Sequence, residues 1–168
     1  YIEVEKDISI KTINLKESER EGIKNGYQYT EVNQNAGSIL VTENLYVGGK
    51  NLNIEGSIVA VTENAILNVE KINIESKIDS IYSETESKSK GFLSSKESHT
   101  KSYKEKNAEA QLLIGGRTVT KADINIIGST FVTGDDSYLG GNITSTSREL
   151  NRSYYHKEKK TGLVSNFD

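Results

Sequence analysis

The chain has 168 residues, long enough for one ordinary domain with a real core, yet only 34% are apolar against 27% charged. Its net charge of -3, with acidic and basic residues interleaved, offers no strongly basic face for nucleic acid. Cysteine, proline, methionine and tryptophan are absent, which removes disulfides, thiolate zinc sites and a cysteine nucleophile, and no run approaches the ~18 apolar residues of a membrane-spanning helix.

The first periodic segment is Val4-Glu5-Lys6-Asp7-Ile8-Ser9-Ile10, which matches Val69-Glu70-Lys71-Ile72-Asn73-Ile74 after one insertion. A polar stretch follows over 16–36. From 37 onward the chain repeats itself. Val41-Thr42-Glu43-Asn44 returns as Val61-Thr62-Glu63-Asn64 at an interval of twenty residues, and Gly37-Ser38-Ile39 returns as Gly56-Ser57-Ile58 with a slip of one. Leu45, Val47, Leu52 and Ile54 alternate with polar or outward residues, the period of two expected of strands buried on one side. Adding twenty carries Val41 to Val61, Leu45 to Ala65, Val47 to Leu67, Leu52 to Ile72 and Ile54 to Ile74, apolar onto apolar each time.

A second polar stretch covers 79–111. Beyond it the words return: Leu112-Leu113-Ile114-Gly115-Gly116 and Ser137-Tyr138-Leu139-Gly140-Gly141 align with Leu45-Tyr46-Val47-Gly48-Gly49, and Asp123–Ser129 repeats Asn51–Ser57. The third polar stretch is 144–168. A period near twenty fits one coil of a β-solenoid, whose coils bury their apolar faces only by stacking on neighbours. The expected fold is all-β: a single right-handed parallel β-helix over 1–168, with about twenty residues per coil, four or five coils, and the three polar stretches as exposed hairpins. Unpaired strands at its two ends predict end-to-end self-association. The missing initial Met and the lack of a basic-then-apolar start predict an internal or processed piece.

Gly-Ser-Ile-Leu-Val-Thr-Glu-Asn-Leu-Tyr-Val-Gly-Gly-Lys-Asn-Leu-Asn-Ile-Glu-Gly-Ser over 37–57, with the break Ser87-Lys88-Ser89-Lys90-Gly91-Phe92, resembles the haemagglutinin repeats of filamentous haemagglutinins and contact-dependent growth-inhibition effectors. The resemblance covers nearly the whole chain, best at 37–92 and 112–163. It implies a non-enzymatic shaft segment of a large bacterial exoprotein, secreted to the cell surface through the outer-membrane transporter of a two-partner secretion system. Such proteins act as adhesins or carry a toxin to a receptor or envelope on a target cell. The family's export motifs contain Pro and have no counterpart here, and no binding residue transfers to a position in this chain.

Candidate sites are few. Glu43 and Glu63 should stack on neighbouring coils, a carboxylate pair of interest for glycoside hydrolysis, but the aligned third position is read as Gly134, so no carboxylate ladder continues. Asp135 and Asp136 after Gly134 lack the tandem Gly-Gly-x-Gly-x-Asp pattern of a calcium β-roll and read as an ordinary turn. His99 and His156 have no ligand at i+3 or i+4, so no metal site is expected. Asn142-Ile143-Thr144 and Asn151-Arg152-Ser153 are formal glycosylation sequons without an expected role. Tyr27, Tyr29, Tyr82, Tyr103, Tyr154 and Tyr155 gather in the polar stretches among Lys and Glu, as packing residues or as a binding surface. No catalytic residue, cofactor or metal is expected. The rival readings are a receptor- or envelope-binding module through the polar stretches and, less favoured, a β-helical polysaccharide-degrading enzyme.

Overall fold

The computed structural model describes residues 1–162; the last six residues of the third polar stretch, including Leu163, lie outside the described residues. The protein is all-β, with no helix among the described residues. The chain makes five similar passes. The first runs β1 (Ile2–Glu3), β2 (Ile8–Ile10), the long pair β3 (Ile13–Ile23) and β4 (Gly26–Ala36), then β5 (Ile39–Thr42). The second is β6 (Leu45–Gly48), β7 (Asn51–Glu55) and β8 (Ile58–Val61). The third is β9 (Ala65–Asn68), β10 (Lys71–Glu75), a second long pair β11 (Lys77–Lys90) and β12 (Ser94–Ala108), then β13 (Gln111–Ile114). The fourth is β14 (Thr118–Thr120), β15 (Asp123–Ile127) and β16 (Thr130–Val132), and the fifth is β17 (Tyr138–Leu139), β18 (Ile143–Thr146) and β19 (Arg152–Gly162).

Equivalent strands of successive passes pair in parallel, giving a first sheet β1-β6-β9-β14-β17, a second β2-β7-β10-β15-β18 and a third β5-β8-β13-β16. Between the second and third passes the first two sheets keep the twenty-residue register: Leu45 pairs with Ala65, Val47 with Leu67, Leu52 with Ile72 and Ile54 with Ile74. An intervening long hairpin widens the spacing of other pairs, as in Ile8 with Leu52 and Ile72 with Ile124. The third sheet departs from it. Leu40 pairs with Val59 and Val41 with Ala60, so the offset there is nineteen. A shift of one residue turns a side chain to the other face, and Val41 points outward at 65% exposure while Val61 is buried. The Gly37/Gly56 slip therefore persists to the end of β5, and matching Val41 to Val61 is corrected. Leu112 and Ile114 likewise belong to the third sheet, beside Val59 and Val61, not in the column of Leu45. Gly115-Gly116 turns the corner next to Thr62 and Glu63, whereas Gly48-Gly49 and Gly140-Gly141 follow the first sheet. Both corners need a close backbone approach, which is why one word serves two places: a Cβ on Gly116 would sit 2.5 Å from the Glu63 carbonyl oxygen.

The inward residues of the three parallel sheets form one core of Leu, Ile, Val and Ala, with Leu52, Ile72 and Ile124 stacked in one column and Ile54, Ile74 and Ile126 in another. The buried threonines of the core are bonded, whereas Asn107 Oδ1 is buried without a hydrogen-bond partner. Thr120 Oγ1 donates to the Leu67 carbonyl oxygen at 2.8 Å, and Thr118 Oγ1 meets Thr133 Oγ1 at 2.5 Å. Outside, Asn73 donates to Asn53 Oδ1 at 2.8 Å and Asn53 to Ser9 at 3.4 Å, so the polar residue between each apolar pair forms its own ladder.

The corner between the second and third sheets alternates. In the second and fourth passes it is a Gly-Ser step, with Gly56 and Gly128 at φ +52 and +54, a conformation that L side chains rarely adopt. The serine completes the corner: Ser57 Oγ donates to the Glu55 carbonyl at 2.9 Å and accepts from the Ser38 amide at 3.1 Å. In the first and third passes the same corner opens into a long hairpin, and in the fifth it leads into β19. These long strands pair with one another in a separate antiparallel sheet, β19-β12-β11-β4-β3.

By its contacts the chain divides into two compact units. One comprises 1–14, 35–78 and 107–149, and holds the three parallel sheets; the other comprises 15–34, 79–106 and, among the described residues, 150–162. The second unit is narrower than the polar stretches. Gln111 already donates to the Ser57 carbonyl and Ala110 is fully buried, while Thr144–Thr146 pair with Asn125–Ile127. None of the described residues of the second unit is buried.

Candidate functional site

Because successive side chains in a strand point to opposite faces, residues i and i+2 are neighbours on one face. The sequence uses this with a word not singled out from composition: Tyr-x-Glu occurs at Tyr1-Ile2-Glu3, Tyr29-Thr30-Glu31, Tyr82-Ser83-Glu84 and Tyr103-Lys104-Glu105. Each time the tyrosine hydroxyl donates to the glutamate carboxylate, at 2.9 Å for Tyr29, 3.0 Å for Tyr82 and 2.7 Å for Tyr103, with a shorter contact at Tyr1. Three of the four lie on one face of the antiparallel sheet. There Glu84 pairs across strands with Tyr29, and Tyr82 with Glu31, bringing the two rings to 6.1 Å. Arg20 covers the ring of Tyr27 at 4.3 Å, a cation–π contact, and Lys16 reaches Glu31 at 3.1 Å.

Glu84 is the centre of this face. Its Oε1 lies 2.6 Å from His99 Nε2 and 3.4 Å from Lys101 Nζ, and its Oε2 accepts from Tyr82. The bond from His99, with smaller contributions from Tyr82 and Lys101, lowers the Glu84 pKa to about 2 against partial desolvation. Lys101 is raised in turn by the Glu84 charge. Tyr82 is raised first by partial desolvation and then by its bond to Glu84. Glu105 is lowered by Tyr103 and by the Asn151 backbone amide, which donates to it at 2.6 Å. A carboxylate so far below neutral pH is a weak general base. Its geometry is that of a cross-strand clamp holding β11 to β12.

Beside the clamp runs a shallow groove lined by Glu86, Lys88, Glu97, His99, Lys157 and Lys159. His99 thus has a partner, fifteen residues earlier on the adjacent strand, which the i+3 and i+4 spacings of a helix could not reveal. His156 lies on the opposite face, its Nδ1 2.9 Å from Thr100 Oγ1. Tyr154 shares that opposite face, since it pairs with Ser102, while Tyr155 lies with Lys101 and meets the His99 ring edge-on at 6.1 Å. The six tyrosines therefore do not form one cluster.

The Glu43 column reads Glu43, Glu63, Gly116 and Gly134 by its backbone bonds, so Gly134 is fourth and Gly116 third. The column still carries only two carboxylates, and Glu63 is occupied by Asn44 at 3.0 Å. A second stacked pair, Glu55 and Glu75, escaped the sequence reading. Lys77 binds Glu55 at 2.8 Å and Arg148 binds Glu75 at 2.8 Å, and the same guanidinium donates to the Ser76 carbonyl at 2.6 Å. The bond from Lys77 is the main cause that lowers the Glu55 pKa. Asp136 takes φ +60 in an exposed turn, and among the described residues no three His, Cys, Asp or Glu side chains gather as a metal site would require. The sequon residue Asn142 bonds Asp123 through both its amides, and Asn151 bonds Glu105 likewise.

No family model matches the chain, and comparison with curated proteins and with solved structures returns no match.

Proposed function

We propose that the chain is a segment of a right-handed parallel β-helix and serves as a non-enzymatic shaft in a large secreted bacterial adhesin or toxin-delivery exoprotein of the haemagglutinin-repeat kind. The observation that carries this reading is the register: equivalent strands of five successive passes pair in parallel, nineteen or twenty residues apart where no hairpin intervenes, and place apolar side chains on one another in the core. Stacking of this sort extends without limit by adding passes, and each added strand advances a sheet by ~4.8 Å. On this reading the parent protein leaves the cell through the outer-membrane transporter of a two-partner system, stands on the bacterial surface and holds a distal tip against a target cell. The test is electron microscopy of a tandem version of the described passes. Thin rods that lengthen in proportion to the number of passes support the proposal; globular particles overturn it.

A second reading, contact with the target envelope through the antiparallel sheet, is favoured by one feature. That sheet has no buried residue and presents Tyr29, Tyr82 and the Arg20–Tyr27 pair on accessible strands, Tyr and Arg being residue types enriched at recognition hot spots. Whole-cell pull-down with and without 77–109 separates the two: equal capture leaves only the shaft.

A further inference from the structure

The two hairpins of the antiparallel sheet end differently. The β3–β4 hairpin turns through Lys24-Asn25-Gly26, with Asn25 at φ +64, a residue choice that the turn geometry itself explains. The β11–β12 hairpin is closed by the Gly91 amide donating to the Ser94 carbonyl at 2.7 Å, so Phe92 and Leu93 are the two central residues. Turn chemistry does not ask for either. Phe92 is 99% exposed and Leu93 53%, so neither belongs to the core. An aromatic ring fully in water forgoes most of the burial energy that such a side chain has to give.

The strands that lead to this tip carry the opposite balance to the chain as a whole. The last four residues of β11 and the first four of β12, with the residues of β19 paired to them, hold Lys88, Lys90, Lys96, Lys159 and Lys160. Lys88 pairs with Glu86 and Glu97, and Lys96 and Lys160 share Glu158, so five lysines still face three acids. The full chain is at -3. A net-positive lysine cluster behind an apolar Phe-Leu tip matches one kind of plane: an apolar layer roofed by phosphates. Lysine stems lie along apolar matter while their heads stay with the phosphates, and shallow insertion of Phe and Leu with basic flanks is how interfacial segments hold to lipid.

We infer that the Phe92-Leu93 tip is a membrane-contact site for an anionic phospholipid surface, with the two apolar side chains inserted among the headgroups and the surrounding lysines on lipid phosphates. The contact belongs to the hairpin tip and holds whether or not the chain is a shaft.

The experiment is co-sedimentation of the full chain with phosphatidylglycerol-containing vesicles and with pure phosphatidylcholine vesicles. Phe92→Trp supplies a second readout, since the chain has no tryptophan of its own. Expected are binding to the anionic vesicles well above the zwitterionic ones, and a blue-shifted Trp emission quenched by brominated acyl chains. Phe92→Ser with Leu93→Ser should weaken binding by roughly tenfold or more, and Lys90→Ala by about fivefold. Absence of binding, equal binding to both vesicles, an unmoved Trp emission, or binding that survives the double serine change would each overturn the assignment. Urea unfolding of the double variant, unchanged because both positions are exposed, excludes misfolding as the cause of any loss.

Discussion

The sharpest test of the fold is a pair of substitutions in residues of similar chemistry, Leu52→Asp and Val41→Asp. Leu52 is 2% exposed and sits between Ile8 and Ile72 in the second sheet. Removing its burial forfeits about 1.5–3 kcal/mol, and truncation of buried leucines in other cores costs about 2–5 kcal/mol once the cavity is included. The unpaired carboxylate adds a further penalty of several kcal/mol. Since a domain has only about 5–15 kcal/mol of stability to lose, Leu52→Asp should leave little or no folded protein. Val41 has the sequence pattern of a core residue but an outward side chain on the edge strand β5. Its replacement by Asp should cost no more than about 1 kcal/mol, the range of strand propensity at an exposed site. Urea titration followed by far-UV circular dichroism measures both. If Val41→Asp lowers the midpoint as far as Leu52→Asp does, the nineteen-residue offset of the third sheet is wrong.

Gly128→Ala meets both a positive φ and a Cβ placed 2.5 Å from Arg148 Cβ, so a loss of about 1–3 kcal/mol is expected; Gly22→Ala, with nothing within 4 Å, should be neutral or slightly stabilising by the same thermal melts. Glu84 is held below its unfolded pKa, so its clamp contributes stability above pH ~4.5 that fades as pH falls toward 2. Glu84→Gln should therefore flatten the acid side of a stability-against-pH curve and shift it least below pH 2; an unchanged slope between pH 4.5 and 2 would contradict the clamp. Arg148→Ala frees the Ser76 carbonyl and Glu75, with an expected cost of about 1–3 kcal/mol in urea unfolding. Deleting 77–109 together with Ser76→Gly joins the new glycine to Ala110 in the Gly56–Ser57 columns, and circular dichroism should still show a cooperative parallel-sheet unit; a molten product would mean that the hairpin is needed to fold the passes.

What the sequence made legible was whatever repeats locally. Leu45 over Ala65 and Leu52 over Ile72 follow from an unbroken twenty-residue spacing, because the strands and corners between them keep the same length. The spacing fails where a corner changes length. The Gly37/Gly56 slip was visible, but nothing in Ile39-Leu40-Val41 against Ile58-Val59-Ala60-Val61 says whether it closes before or after the strand, since either choice puts apolar on apolar. Side-chain contacts across the antiparallel sheet were less accessible still. Glu84 meets His99 only because two long strands fold back at Gly91, and Arg148 reaches Ser76 from seventy-two residues away. Tyr-x-Glu was the readable signal, since a strand places i and i+2 side by side and the pair recurs four times. A search for metal ligands at i+3 and i+4 tests for a helix, and none occurs among the described residues.

The alternation of Gly-Ser corners and long hairpins makes the repeat unit two passes, not one. A single glycine decides which way the corner goes. Gly56 and Gly128 take a left-handed φ and send the chain straight into the third sheet, whereas Ser76, at the same place in the third pass, keeps an ordinary φ and the chain runs on into β11. The penalty of a Cβ at positive φ is what excludes the short route at Ser76. Strand counts keep step with this choice. Two passes add two strands to each of the first two parallel sheets, and the one hairpin they contain adds two strands to the antiparallel sheet. A hairpin is therefore placed once per two passes by whether glycine occupies one corner position, and the two hairpins differ in sequence, only the β11–β12 one carrying the Glu84 clamp and the Phe92 tip.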